Sequence, residues 1–308
     1  MDAKITRKRL GEMLAYDWIK IMAVIAAAIF AWMMFFQVTG VRLKVGQRFT
    51  VHCYGSTFEV VDSDALSNSL LNGYLSYDVL KLDVQNIPAT SEANEMLVAK
   101  NGIKEGDLMI TDDVDSGTAE DPKHDSFFQK MIDNFSFIAF EDLLQAGKEY
   151  VAKFYDADGK MKDLVVEDHF RTRMKKDNRF RKEKQIILGI TLEKVRLEMV
   201  KDDVKWLEEM LQEDAVRRAN NQTPLFVRYA KNTQALAKNP DAGREIGEEK
   251  TYGLSLDALA NANQLVCNEE GKCKNMMVIV YNYLHYQPDL QFETIAALRC
   301  IVDLYGAK

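Results

Sequence analysis

Apolar residues run without a break from Ile21 to Phe36, inside the segment WIKIMAVIAAAIFAWMMFFQV at 18–38. Trp18 and Trp32 sit near its ends, and Lys4, Arg7, Lys8 and Arg9 precede it. About 20 helical residues cross a bilayer core of about 30 Å, and a helix buried in a soluble domain would show polar breaks along one face. The segment therefore reads as a transmembrane helix. A secretory signal has a shorter apolar stretch, about 7–15 residues, followed by a small-residue cleavage site. No A-x-A follows here, and Val38-Thr39-Gly40 is a poor substitute, so an uncleaved anchor is expected. The basic N-terminal flank places that end in the cytoplasm, although Arg42, Lys44 and Arg48 beyond the far end make the bias modest. The expected organisation is a cytoplasmic tail at 1–17, the membrane helix at 18–38, a juxtamembrane linker at 39–47 and an extracellular domain at 48–308.

Past the linker the pattern alternates between strand and helix periods. RFTVHCY (48–54) reads as a strand ending at Gly55-Ser56, and 78–87 as a second strand stopped by Pro88. Between them Ser63 or Asp64 caps a helix through about Leu71. Ser91 caps a short helix that ends at Gly102, and 107–111 (DLMIT) is a third strand. Strand, helix, strand, helix, strand at this spacing predicts a parallel α/β sheet. A helix-rich section at about 125–220 follows. In it, 183–220 forms one long helix with two apolar stripes: Leu188, Leu192, Val195, Met199, Trp206 and Met210, then Ile190, Leu197, Val200, Val204, Leu207 and Leu211. Residues 225–229 and 276–284 are β-rich, 231–250 reads as a polar loop, and an amphipathic helix closes the chain before Gly306.

Charge separates the two parts. Residues 1–48 hold 8 Lys and Arg against 3 Asp and Glu; the whole chain carries −7, so residues 49–308 carry −12. An acidic domain argues against general nucleic-acid binding. The four cysteines are Cys53, Cys267, Cys273 and Cys300. Cys267 and Cys273 flank a polar Gly-containing turn, and outside the cytoplasm that spacing is open both to a small disulfide and to two free thiols. No C-x-x-C pair exists and the four histidines are scattered, so no zinc site is expected.

The β-α-β-α-β opening with GIKEGDLMITDD (102–113) resembles the first lobe of type II extracellular solute-binding proteins, and FSFIAFEDLLQAGKEYVAKFY (135–155) resembles their crossing toward a second lobe. YDWIKI (16–21), KKDNRFRKEKQIILGI (175–190), YGLSL (252–256) and PDLQFET (288–294) resemble segments of uncharacterised membrane-anchored proteins of Gram-positive bacteria. The resemblance spans most of the chain and implies a type II periplasmic-binding-protein-like α/β domain on a membrane tether, non-catalytic, serving an ABC-type permease and holding a small-molecule solute. Its motifs are structural. A full second α/β lobe is not legible between 115 and 275, which keeps open an alternative: a structural or interaction module of an envelope or transporter complex that has lost ligand binding.

Catalytic signatures are missing. The chain has no G-x-S-x-G, no H-E-x-x-H and no G-x-x-x-x-G-K-[ST], so neither an enzyme nor a cofactor is expected. Asp112, Asp113, Asp115 and Gly117 match a calcium loop only in part and read as a solvated acidic loop. Eight basic residues between Arg171 and Lys184 read as a solvated helical face, with lipid head groups or anionic envelope polymers as the functional alternative. In open α/β sheets ligands sit at the carboxyl ends of strands. That rule selects Tyr54, Gly55 and Ser56, then Thr111, Asp112 and Asp113. Tyr281, Asn282, Tyr283 and Tyr286 are added as aromatic and amide groups suited to a solute cleft.

Overall fold

The computed structural model describes residues 7–39, 43, 46–55, 58–60, 63–75, 77–88, 90–112, 131–134, 136–232, 246–268, 271–286 and 288–306. Contacts divide the chain into two compact units, Met1–Lys44 and Val45–Lys308. In the first, helix α1 spans Arg7–Thr39, about 50 Å at 1.5 Å per residue. It starts well before the expected position because Leu10, Met13, Leu14 and Ala15 favour helix. Its window Trp18–Phe35 is long and apolar enough to cross a membrane, and none of it is buried.

The second unit follows in order. Strands β1 (Arg48–Tyr54) and β2 (Phe58–Val60) lead to α2 (Ser63–Ser69), which continues as a π-helical turn over Leu70–Tyr74. Then come β3 (Lys81–Ile87), α3 (Ser91–Gly102) and β4 (Leu108–Asp112). The helical section holds α4 (Phe140–Phe154), α5 (Asp163–Arg173) and α6 (Glu183–Ala219). Strands β5 (Phe226–Asn232), β6 (Ile246–Ser255), β7 (Val266–Asn268) and β8 (Met276–Val280) precede α7 (Pro288–Gln291) and α8 (Glu293–Tyr305). Thr90, rather than Ser91, caps α3: its hydroxyl accepts from the Ala93 N–H at 3.3 Å. Phe292 interrupts the single closing helix that was expected.

The six-stranded sheet has the order β3-β1-β4-β8-β6-β5. The first three strands are parallel, as the spacing predicts, but β8, β6 and β5 join antiparallel. The sheet is therefore mixed rather than parallel. The expected loop at 231–250 is also corrected, since β6 begins at Ile246 and pairs along β5. Among the described residues the helical section forms no second α/β lobe: α4 packs beside β6, and α5 and α6 pack on the other helices. Residues 113–130, which hold most of the expected acidic loop, Ser56, and residues 233–245 lie outside the described residues.

Alternation along the strands divides two cores. In β8, Met276, Val278 and Val280 join one cluster with Phe49, Val51 and Leu108, against which α2, α4, α6 and α8 pack. Met277 and Ile279 join a smaller cluster on the other face with Leu97 of α3, Phe137 and Tyr281. A wholly apolar strand such as MMVIV suits burial on both faces.

Helix α6, about 55 Å long, buries one of its two expected stripes, Leu197, Val200, Val204 and Leu207. From the other stripe, Leu188 and Val195 are exposed. The face it buries instead carries charge: Glu193, Arg196, Asp203 and Asp214. Two glycines set its close approaches. A Cβ on Gly147 of α4 would lie 2.7 Å from Val204, and one on Gly189 would run into the Phe170 ring of α5. Glycine to alanine inside a helix ordinarily gains up to about 1 kcal/mol. Gly189→Ala is expected to lose about 1–3 kcal/mol through overpacking instead, which thermal unfolding would register as a fall in Tm of about 5 °C; an unchanged or raised Tm would refute that packing.

Candidate functional site

The strand-end residues and the aromatic and amide candidates of the late β segment fall into two separate places. Tyr54 and Thr111 are register partners at the carboxyl ends of β1 and β4, with Gly55 and Asp112 beside them. The Tyr54 hydroxyl donates to Asn94 Oδ1 of α3 at 2.6 Å, which ties it to the fold. Ser56 and Asp113 lie outside the described residues. Because β8 is antiparallel, pairing Leu108 with Val280 and Asp112 with Met276, its own carboxyl end reaches the opposite edge of the sheet. Tyr281, Asn282 and Tyr283 therefore stand about 13 Å away along β4, four steps of about 3.3 Å. Tyr283 is buried and donates from its hydroxyl to the Glu105 carbonyl at 3.3 Å. Asn282 donates its backbone N–H to the Ser136 carbonyl at 2.9 Å. Among the described residues, Tyr54 and Asp112 do not converge with Asn282 and Tyr283 on one pocket.

At that second edge His52 is wholly buried, with its Nδ1 3.0 Å from the Tyr281 hydroxyl. Burial, followed by the positive charge of Lys100, pushes the imidazole down to about 4. Lys100 itself reaches Glu105 at 3.0 Å and Gln85 at 2.7 Å. Asp107 accepts from the Thr50 N–H at 2.7 Å, and burial pushes its carboxyl up to about 7. Gly106, at φ +115°, leaves the space for this arrangement, since a Cβ would sit 2.6 Å from the His52 ring.

The most organised polar group is an ionic junction where α4, α5, α6, α7 and α8 meet. Arg196 of α6 donates to the Asp289 carbonyl at 2.8 Å, to the Tyr150 hydroxyl at 3.2 Å and to Glu293 Oε1 at 3.3 Å. Arg173 of α5 donates to Glu193 Oε2 at 2.6 Å and to Asp78 Oδ2 at 2.7 Å. The Tyr77 hydroxyl also donates to Glu193 Oε2, at 2.9 Å, and that of Tyr150 to Asp289 Oδ1 at 2.7 Å. His169 Nε2 lies 3.2 Å from Asp289 Oδ1 and 3.6 Å from Glu193 Oε1. Burial alone would raise the Asp289 carboxyl, but the His169, Arg196 and Tyr150 contacts reverse that and hold it well below the usual range. The neighbouring carboxylates hold Arg196 firmly charged against its own burial.

Each of these groups is engaged by another, which leaves no free nucleophile with a base beside it. Among the described residues no group of three metal-ligating side chains could hold an ion. Beside Arg196 and Glu293 lies a cavity of about 10 Å³, the size of one water rather than of an organic solute. Cys267 and Cys273 are free thiols, and burial, with Asp257 and Cys267 nearby, pushes Cys273 up to about 12. The junction escaped the strand-end rule because it lies in the helical layer. One signal was present: Glu193 and Arg196 interrupt an apolar face of α6, and PDLQFET supplies Asp289, Gln291 and Glu293, all of them engaged. No family model matches the chain, and no curated protein and no solved structure matches it.

Two measurements probe these groups. Arg196→Met leaves buried carboxylates without their cation and is expected to cost about 3–5 kcal/mol in urea unfolding, whereas Lys205→Ala, at an exposed pair with Glu209, should change little. For His52 the folded pKa of about 4 lies below the unfolded value of about 6.5. The unfolded chain therefore binds more protons between those values, and the stability that His52 contributes is present above pH 6.5 and lost as pH falls toward 4. Relative to His52→Gln, the parent protein should gain stability as pH rises across that window; parallel stability curves would contradict the assignment.

Proposed function

We propose that this protein is a membrane-anchored, non-catalytic interaction module: a solute-binding-like domain without an interlobe cleft, held by α1 and acting through its surface in an envelope or transporter complex. The observation that carries this reading is the position of α4, α5 and α6. α4 packs beside β6, and α5 and α6 pack on the other helices within the same compact unit and the same core cluster as the sheet, where a solute-binding protein would need a second α/β lobe. The separation of Asn282 and Tyr283 from Tyr54 and Asp112, set by the antiparallel direction of β8, supports it further. An ABC-type permease is the candidate partner, and the basic N-terminal flank supports a cytoplasmic N-terminus with the domain extracellular. The parallel β1-α2-β3-α3-β4 opening favours the second reading, a domain that still holds a solute at the Tyr54–Thr111 edge.

A thermal-shift screen separates the two. A ligand at a hundred times its Kd adds about 2.7 kcal/mol, or about 5 °C or more for a domain of this size. Sugars, amino acids and short peptides should leave Tm unchanged. A saturable rise that Tyr54→Ala abolishes would restore the solute-binding reading.

A further inference from the structure

The basic run that begins α6 is not consumed by the fold. Arg173 and Arg179 turn inward, to Glu193 and Asp78 and to Asp177, and Arg171 pairs with Glu167. Lys175, Arg181, Lys182 and Lys184 are exposed and make no ion pair among the described residues. Three of these four crowd the N-terminus of α6, where the helix dipole disfavours positive charge. Helix stability therefore does not explain their placement. On the next turn Ile187 and Leu188 are each 57 % exposed. Lys184 and Leu188 share a helix face, four residues apart and turned away from the buried face of Gly189, Glu193 and Arg196. A cationic rim around two exposed aliphatic side chains, on a domain whose net charge is −12, is a local inversion of surface chemistry.

We propose that this end of α6 docks on an anionic lipid surface, with Arg181, Lys182 and Lys184 at the head groups and Ile187 and Leu188 inserted at the interface. Lipid fits better than an acidic polymer because the aliphatic pair has no role in purely ionic binding. The proposal rests on the membrane-anchored reading: α1 ends at Thr39 and β1 begins at Arg48, and that link reaches at most about 30 Å, which keeps the domain near a bilayer.

Both cores lie wholly within Val45–Lys308, so this piece folds without α1. It should co-sediment with phosphatidylcholine vesicles that contain phosphatidylglycerol and not with phosphatidylcholine alone, and added salt should release it. Each basic residue near an anionic surface is worth about fivefold in affinity. Lys182→Glu/Lys184→Glu should weaken binding at least roughly 25-fold, and Leu188→Ser should weaken it while leaving the salt dependence intact. Both variants change exposed side chains: Leu188→Ser should unfold near the parent temperature and Lys182→Glu/Lys184→Glu at or above it, since acidic groups suit the helix N-terminus. Equal binding to both vesicle types, unchanged binding by the charge variant, or capture by soluble polyphosphate but not by vesicles would each overturn the proposal. The tether is judged separately, by whether the full chain resists alkaline extraction from membranes.

Discussion

The Arg196 guanidinium is enclosed, with its side chain 1 % exposed, and it contacts α4 through Tyr150, α7 through the Asp289 carbonyl and α8 through Glu293. An ion taken from water at that depth costs several kcal/mol unless its partners are in place. The pairing offsets that cost rather than adding large net stability. What it supplies is position, because any shift of α6 along or around its axis would break several charge-assisted bonds together. Arg173 does the same for α5 and the 77–78 turn through Glu193 and Asp78. The helical layer is fixed to the sheet domain by charge at one end and by the Leu197–Leu207 stripe along its length.

That constraint bears directly on function. A binding protein with two lobes needs a hinge and a cleft that stays accessible. Here the helices that would carry the crossing share one core with the sheet, and Gly147 and Gly189 let them approach one another closely. The sheet then presents two edges with different chemistry. One carries Tyr54, Thr111 and Asp112, and the other carries the buried His52–Tyr281 pair under Gly106. Among the described residues neither place brings an acid, a base and a nucleophile together, and the proposed recognition by surface draws on that.

Local pattern revealed what depends on local physics. RFTVHCY is strand from Arg48 to Tyr54, and α6 begins at Glu183 and ends within a residue of its expected end, since alternation and the 3.6-residue period are written in adjacent residues. Long-range pairing was hidden. The direction of β8 decides whether Asn282 and Tyr283 stand beside Tyr54 or across the sheet from it, and no local pattern encodes that direction. The polar start of β6, with exposed Glu248 and Glu249, reads as loop until β5 pairs with it. The charged core was obscured for a related reason: Glu193 and Arg196 resemble solvated positions unless the partners from 289 and 293 are known to return to them.

The central claim is that α6 and the sheet form one cooperative body held by the Arg196 junction. Native-state hydrogen exchange on Val45–Lys308 addresses it most directly, because amides that open together report the same free energy. The account predicts that Glu193–Val204 exchange with the same opening free energy as Met276–Val280 of β8, at the level of global unfolding. A distinctly lower opening energy for Glu193–Val204, with β8 still protected, would mean that the helical layer opens on its own as a lobe, and would contradict the account.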